Sequence, residues 1–173
     1  MNKYKLSEET LEIDGHVLHR IIALRDFGEV KKGDLGGFIE KESNLSHNSN
    51  CWIYNDAVVR GDAIVYGNAK VCDDAMVCGD ATVYGNAEVC GEAEVHGEAK
   101  VCGNAKVEKK SDYIVFKNWW SSGRYFTWTR SNDMWAVGCF YGTGEELIKK
   151  AYKDSEEKGR EYERIVKYVE SIK

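Results

Sequence analysis

Between residues 51 and 107 the apolar positions recur on a six-residue beat that never slips. A branched aliphatic stands at Ile53, Val59, Val65, Val71, Val77, Val83, Val89, Val95, Val101 and Val107. Two positions before each stands a small residue, first Cys51 and then Ala57, Ala63, Ala69, Ala75, Ala81, Ala87, Ala93, Ala99 and Ala105. On an extended backbone, side chains two apart point the same way. Each pair therefore faces one interior, while the polar, glycine-bearing positions between pairs turn the chain. Three hexapeptides make one triangular coil of 18 residues. The pattern predicts an all-β solenoid, a left-handed parallel β-helix, over residues 45–108.

The flanks follow other rules. Residues 1–44 read as a cap: short strands at 17–20 and 21–24, then the turn glycines of 31–40 leading to the first rungs at Ile39 and Leu45. A cap is expected because an open coil end leaves ladder donors and acceptors bare. Beyond Val107 the period changes, and residues 109–173 predict a three-stranded meander followed by one or two helices. Its turns fall at Ser121 to Gly123 and Ser131 to Asp133. Thr143 with Glu146 has the form of a capping box, and Ser155 is placed to restart a helix. Ile165, Val166, Val169 and Ile172 form one helical stripe, expected to pack on the meander or on a sister chain.

Charge is divided unevenly. Of the net −5, residues 1–50 carry −2, residues 51–107 carry −5 and residues 108–173 carry +2. At the 18-residue period Asp56, Asp74 and Glu92 stack at one corner, Asp62, Asp80 and Glu98 at a second, and Asn68, Asn86 and Asn104 at the third. A stacked amide column can hydrogen-bond along the axis. The two acidic columns are solvated turn residues in the plain reading and candidate surfaces for a basic partner in the functional one. On a flat face, Lys70, Glu88 and Lys106 alternate in sign. The chain has no proline, which in the solenoid fits a ladder where nearly every N–H donates to the next coil.

Six cysteines occur. Cys72 lies one coil below Cys90, at a spacing that permits a bridge. The start lacks the apolar core of a secretory signal and no run approaches about 18 consecutive apolar residues, so the expected compartment is the cytoplasm, without a membrane. There the plainer reading leaves the cysteines as small semi-apolar strand residues.

The segments from His19 to Val59, from Thr127 to Arg130 and from Val137 to Tyr152 resemble a set of hexapeptide-repeat proteins of bacteriophages, prophages and bacteria, often described as polymer-forming. The resemblance covers nearly the whole chain, and its end motifs are more specific than the repeats. It implies a left-handed β-helix with end modules and a viral or prophage origin. It implies no catalytic residue.

Enzyme chemistry finds little footing in the residues. Many left-handed β-helices transfer acyl groups from coenzyme A or acyl carrier protein, with a histidine beside an intersubunit groove and usually a loop thrown out of the coil. No loop leaves the coil here, and His96, the one repeat histidine, reads as a lone solvated residue. His16, His19, His47 and His96 lack the coil-related spacing that would gather them around zinc, and no phosphate-cradling glycine motif occurs. No catalytic residue, metal or cofactor is assigned.

Binding draws on the tail. Trp119, Trp120, Trp128 and their aromatic neighbours interleave with Lys117, Arg124 and Arg130, a mixture suited to stacking on bases and pairing with phosphates. About half of those aromatics are needed as the core of a small sheet. The candidate ligand site is Arg124, Trp128, Arg130, Trp119 and Trp120; the candidate partner surface is Asp62, Asp80, Glu98, Asp56, Asp74 and Glu92. Double-stranded DNA is excluded by the acidic balance. The expectation is thus a non-enzymatic, homo-oligomeric phage or prophage binding protein. Its expected role is counter-defence, by sequestering a small nucleotide-type signal or blocking a host protein. A hexapeptide-repeat acyltransferase and a structural scaffold are the alternatives.

Overall fold

The computed structural model describes residues 2–119 and 122–173. The chain opens with a long hairpin, β1 (Tyr4–Ile13) and β2 (His16–Ala23), followed by β3 (Leu35–Ile39). Ten two-residue strands make the solenoid: β4 (Trp52–Ile53), β5 (Val58–Val59), β6 (Ile64–Val65), β7 (Lys70–Val71), β8 (Met76–Val77), β9 (Thr82–Val83), β10 (Glu88–Val89), β11 (Glu94–Val95), β12 (Lys100–Val101) and β13 (Lys106–Val107). They sort into the three faces of a prism. One sheet runs β4-β7-β10-β13, another β6-β9-β12, and the third β1-β2-β3-β5-β8-β11, so that the hairpin extends one face. Solenoid strands pair in parallel at the 18-residue interval, as in Val59 with Val77 and Val77 with Val95. The parallel solenoid is the expected one.

The interior is the two apolar rungs. Every valine and alanine of the beat from Ala57 to Val107 is buried. Burying a valine side chain contributes about 1.5–3 kcal/mol, and the coils repeat that gain without a special residue. The asparagine column is hydrogen-bonded as expected: the Asn68 amide donates to Asn86 Oδ1 at 3.1 Å and Asn86 to Asn104 Oδ1 at 3.2 Å. In the charge-alternating column, Lys106 pairs with Glu88 while Lys70 reaches Glu29 of the cap. Cys72 and Cys90 are joined by a disulfide, with Cα atoms 4.6 Å apart. This corrects the reading of these two as unbridged strand residues; the direct stacking of successive coils brings the two thiols together.

The N-terminal cap differs from expectation. The two short strands of 17–24 are one strand, β2, and its partner β1 is an element the sequence reading lacked. The hairpin turns at Asp14 (φ 51°) and Gly15 (φ 78°), both in the left-handed region that a tight two-residue hairpin turn demands. Its inner face, with Leu18 and Leu11, packs on Phe38, Val58 and Met76 outside the prism. Where β3 lands on the first coil, Gly36 and Gly37 permit the approach: a Cβ on Gly37 would lie 2.3 Å from the carbonyl oxygen of Ala57.

The C-terminal module is a four-stranded meander, β14 (Tyr113–Lys117), β15 (Tyr125–Thr129), β16 (Met134–Val137) and β17 (Phe140–Gly142), with α1 (Gly144–Asp154) and α2 (Glu156–Ile172). It has one strand more than predicted, because Gly138 (φ 59°) breaks the third apolar stretch in two. Of the expected turns, that at 131–133 is present, and Ser121 of the other lies outside the described residues. The capping box is formed: Thr143 Oγ1 accepts from the Glu146 N–H, and the Glu146 carboxylate accepts from the Thr143 N–H. Ser155 caps α2 by accepting from the Lys158 N–H. Val166 and Val169 of the helical stripe are buried against Phe126, Trp128 and Trp135, whereas Ile172 at its end is exposed. Among the described residues no helix is long and apolar enough to cross a membrane.

Candidate functional site

The hairpin places a histidine against a carboxylate. His16 follows the Asp14-Gly15 turn directly, at the head of β2, and Glu40 follows β3, held by its own N–H donating to the Val59 carbonyl at 3.2 Å. Across β2 and β3, His16 Nδ1 lies 3.0 Å from Glu40 Oε1. The other carboxylate oxygen accepts from the Gly61 N–H at 2.6 Å. The hydrogen bond from the His16 ring, reinforced by that of the Gly61 N–H, holds the Glu40 carboxyl below the usual glutamate range. An ionised Glu40 only accepts, so Nδ1 carries a proton, and in the neutral ring that tautomer leaves the lone pair on Nε2. The His16 side chain keeps 39% of its surface open to solvent, so Nε2 belongs to a half-exposed ring whose orientation is fixed from behind.

Neighbouring side chains brace the pair. Arg60, adjacent to Gly61, pairs with Asp14 of the turn at 3.0 Å. Its buried Nε finds no partner among the described residues. Beside it the Cys78 thiol is pushed up by burial, against the opposing pull of Arg60. The other histidines have different duties. His19 Nδ1 meets the Ser7 carbonyl oxygen at 3.2 Å, and His47 stacks on Tyr4 and accepts from the Lys3 N–H. His96 is exposed, as the pattern implied. Among the described residues, His16 is the histidine with a carboxylate partner.

Among the residues proposed for ligand binding, the described ones differ in exposure. Trp128 is buried in the module's core, its indole N–H donating to Asp133 at 2.8 Å. Trp119 is 73% exposed, with Lys117 over its ring. Arg124 and Arg130 are exposed, and Trp120 lies outside the described residues. The acidic columns are exposed as expected, and the first member of each is met by a cation from the cap: Asp56 pairs with Arg20 and Asp62 with Lys41. Asp74, Asp80, Glu92 and Glu98 remain on the surface. Cys72, Asp73 and Cys90 come within 4.8 Å of one another, but the disulfide has consumed both thiols.

The Asp-Gly dipeptide flanked by strand-like residues was the signal that could have found the pair. It is a strong local mark of a hairpin and would have set His16 at the start of a strand.

No family model matches the chain. Over 67 residues it is 40% identical to the uncharacterized acetyltransferase YdcK of Escherichia coli (strain K12), covering 34% of this chain and 21% of that protein. The chain thus spans about a fifth of the length of this relative. A relative named as an acetyltransferase overturns the expectation of a non-enzymatic protein. Neither that relative nor the fold supports a phage origin, a counter-defence role or a nucleotide ligand.

Proposed function

We propose that this chain is an acyltransferase of the hexapeptide-repeat kind, with His16 as general base and Glu40 as the residue that positions it. The His16–Glu40–Gly61 hydrogen-bond chain carries the reading, and the acetyltransferase relative supports it. His16 Nε2 takes the proton of an acceptor hydroxyl or amine, and the acceptor atom attacks the acyl carbonyl of a thioester donor. The carbon–sulfur bond then breaks, and the departing thiolate receives the proton from the imidazolium. Glu40 fixes the ring and stabilises the imidazolium formed on the way, as a carboxylate does for a catalytic histidine elsewhere. The half-exposed ring needs a second wall to exclude water, and a homo-oligomer supplies it when a sister copy covers the hairpin face.

The test is thiol release from acetyl-coenzyme A in the presence of a panel of hydroxyl and amine acceptors. The wild-type chain is expected to release thiol with some acceptor, and His16→Ala to abolish the release while leaving the thermal transition in place. Failure of the wild type with every acceptor, or an unimpaired His16→Ala, overturns the proposal.

A further inference from the structure

One corner of the prism brings two cysteines and a carboxylate together, and acyl transfer at His16 does not use them. Cys72 and Cys90 hold the same position in successive coils, and Glu108 holds it in the coil after. The residue following Cys72 is Asp73, where the comparable turns at 61, 67, 79 and 85 carry glycine; like them it adopts a left-handed backbone, with φ 61°. The two Sγ atoms and an Asp73 carboxylate oxygen all lie within 4.8 Å of one another. The corner is open to solvent: Cys72 and Cys90 are half-buried and Asp73 is exposed. Cys90 and Asp73 line an open cleft of about 320 Å³ with Gly91, Glu92, Glu108 and Lys109.

The carboxylate is oriented from behind. Asp73 Oδ1 accepts from the Asn55 amide at 3.2 Å and Oδ2 from the Gly91 N–H at 3.0 Å, which ties it to the coil on either side and leaves each oxygen a further lone pair. The backbone places the cysteines without help from their bond: the Cys72 N–H donates to the Val89 carbonyl at 2.9 Å and the Cys90 N–H to that of Val107 at 3.0 Å. Opening the disulfide therefore leaves both sulfurs on neighbouring rungs, one step of about 4.8 Å apart. Two thiolates on one tetrahedral zinc ion stand about 3.8 Å apart, given a Zn–S bond of about 2.3 Å, which that step accommodates. The charge also suits a cation, since Asp73, Glu92 and Glu108 face a single ammonium, Lys109, in the cleft.

We propose that reduction of the Cys72–Cys90 disulfide opens a site for one thiophilic divalent cation of the zinc class, bound by Cys72 Sγ, Cys90 Sγ and an Asp73 carboxylate oxygen. A thiol reductant supplies two electrons and two protons: the sulfur–sulfur bond breaks, two thiols form, and the reductant becomes a disulfide. Metal binding then displaces both thiol protons to solvent. Thiolates select soft cations over magnesium and calcium, and three protein ligands leave the fourth position to water from the cleft. The corner thus holds either a covalent bridge or a metal, never both, because each uses the same two sulfurs.

The test is titration of the full chain with Cd²⁺, both oxidised and after reduction by a phosphine that is then removed without air, read by the ultraviolet band of thiolate-to-metal charge transfer. The reduced chain is expected to bind one equivalent and develop the band, the oxidised chain to show none, and a large excess of Mg²⁺ not to compete. The double variant Cys72→Ser with Cys90→Ser should lose the band although Cys51, Cys78, Cys102 and Cys139 remain. Asp73→Asn should weaken binding by about tenfold or more. Cd²⁺ should raise the thermal transition of the reduced chain and not of the oxidised one. An equal band in the oxidised chain or the double variant, no saturable binding by the reduced chain, or loss of the fold on reduction overturns the site. Unaltered affinity in Asp73→Asn overturns the part of the carboxylate. None of these readouts involves acyl transfer, so the His16 proposal stands or falls separately.

Discussion

The two ends of the solenoid are closed by different side chains. Within it each strand exchanges hydrogen bonds with the coils on both sides, as where the Thr82 N–H donates to Ala99, so each open end leaves both N–H and carbonyl groups to be met. The N-terminal cap brings donors to the carbonyls of the first coil. The Asn44 amide donates to the Gly61 and Ala63 carbonyls at 3.0 and 2.8 Å, the Phe38 and Glu40 N–H groups to those of Ala57 and Val59, and the fully buried Lys3 ammonium to that of Cys51 at 2.7 Å. The C-terminal module brings hydroxyl oxygens as acceptors. Thr127 Oγ1 takes the Lys100 N–H at 3.0 Å, Ser131 Oγ takes that of Lys106 at 2.7 Å, and the Tyr113 hydroxyl takes that of His96 at 3.4 Å. The Tyr113 hydroxyl also donates to the Glu94 carbonyl at 3.0 Å, so hydroxyls serve both needs at this end, whereas amide and ammonium donors stand out at the other. The His16–Glu40 site lies on the first of these caps, where the repeat stops dictating the residue.

Four changes sharpen or break that contrast. His16→Ala is expected to cost about 10²–10⁴-fold in the rate of thiol release, the range of a general base, with little change in stability; a comparable loss of folding would make His16 a structural part of the cap instead. Asn44→Ala strips one buried and one part-buried carbonyl of their donor and should lower unfolding free energy by about 2–4 kcal/mol, as read by urea denaturation. Thr127→Val keeps the shape but removes one acceptor, and the same measurement should fall by about 1–2 kcal/mol. Equal losses in these two variants would argue that the ends are not satisfied as described.

The smallest effect concerns pH. The folded carboxyl of Glu40 lies below its unfolded value, so the stability it contributes is present above the ordinary glutamate value of about 4.3 and is lost as pH falls through the folded one. The difference in melting temperature between wild type and Glu40→Gln should therefore shrink toward zero in acid. A difference that persists at low pH would show that the hydrogen bonds to the ionised carboxylate are not its origin.

The solenoid was legible because it says one thing ten times: the spacing of Val59, Val65 and Val71 assigns faces, coil length and the Asn68 ladder together. Thr143 and Glu146 were legible for a similar reason, since their chemistry is local. His16 and Glu40 were not. They meet across β2 and β3, whose pairing shifts register between Arg20 and Ile22, and that irregularity blurs the alternation by which a strand announces itself. Cys72 and Cys90 could be placed one above the other, but position alone did not decide their bond. Trp128 showed its size and not its surroundings, because the alternation that sends half of a meander's aromatics inward does not say which half.

The fixed winding also makes the protein a ruler. The histidine sits where the rod begins and the meander where it finishes, and each whole winding inserted between them moves the two apart by one inter-strand step of about 4.8 Å while every face stays in phase. Duplicating residues 75–92 would leave both ends intact and simply set them farther apart, so any task that needs them to reach one molecule is gauged by the number of windings.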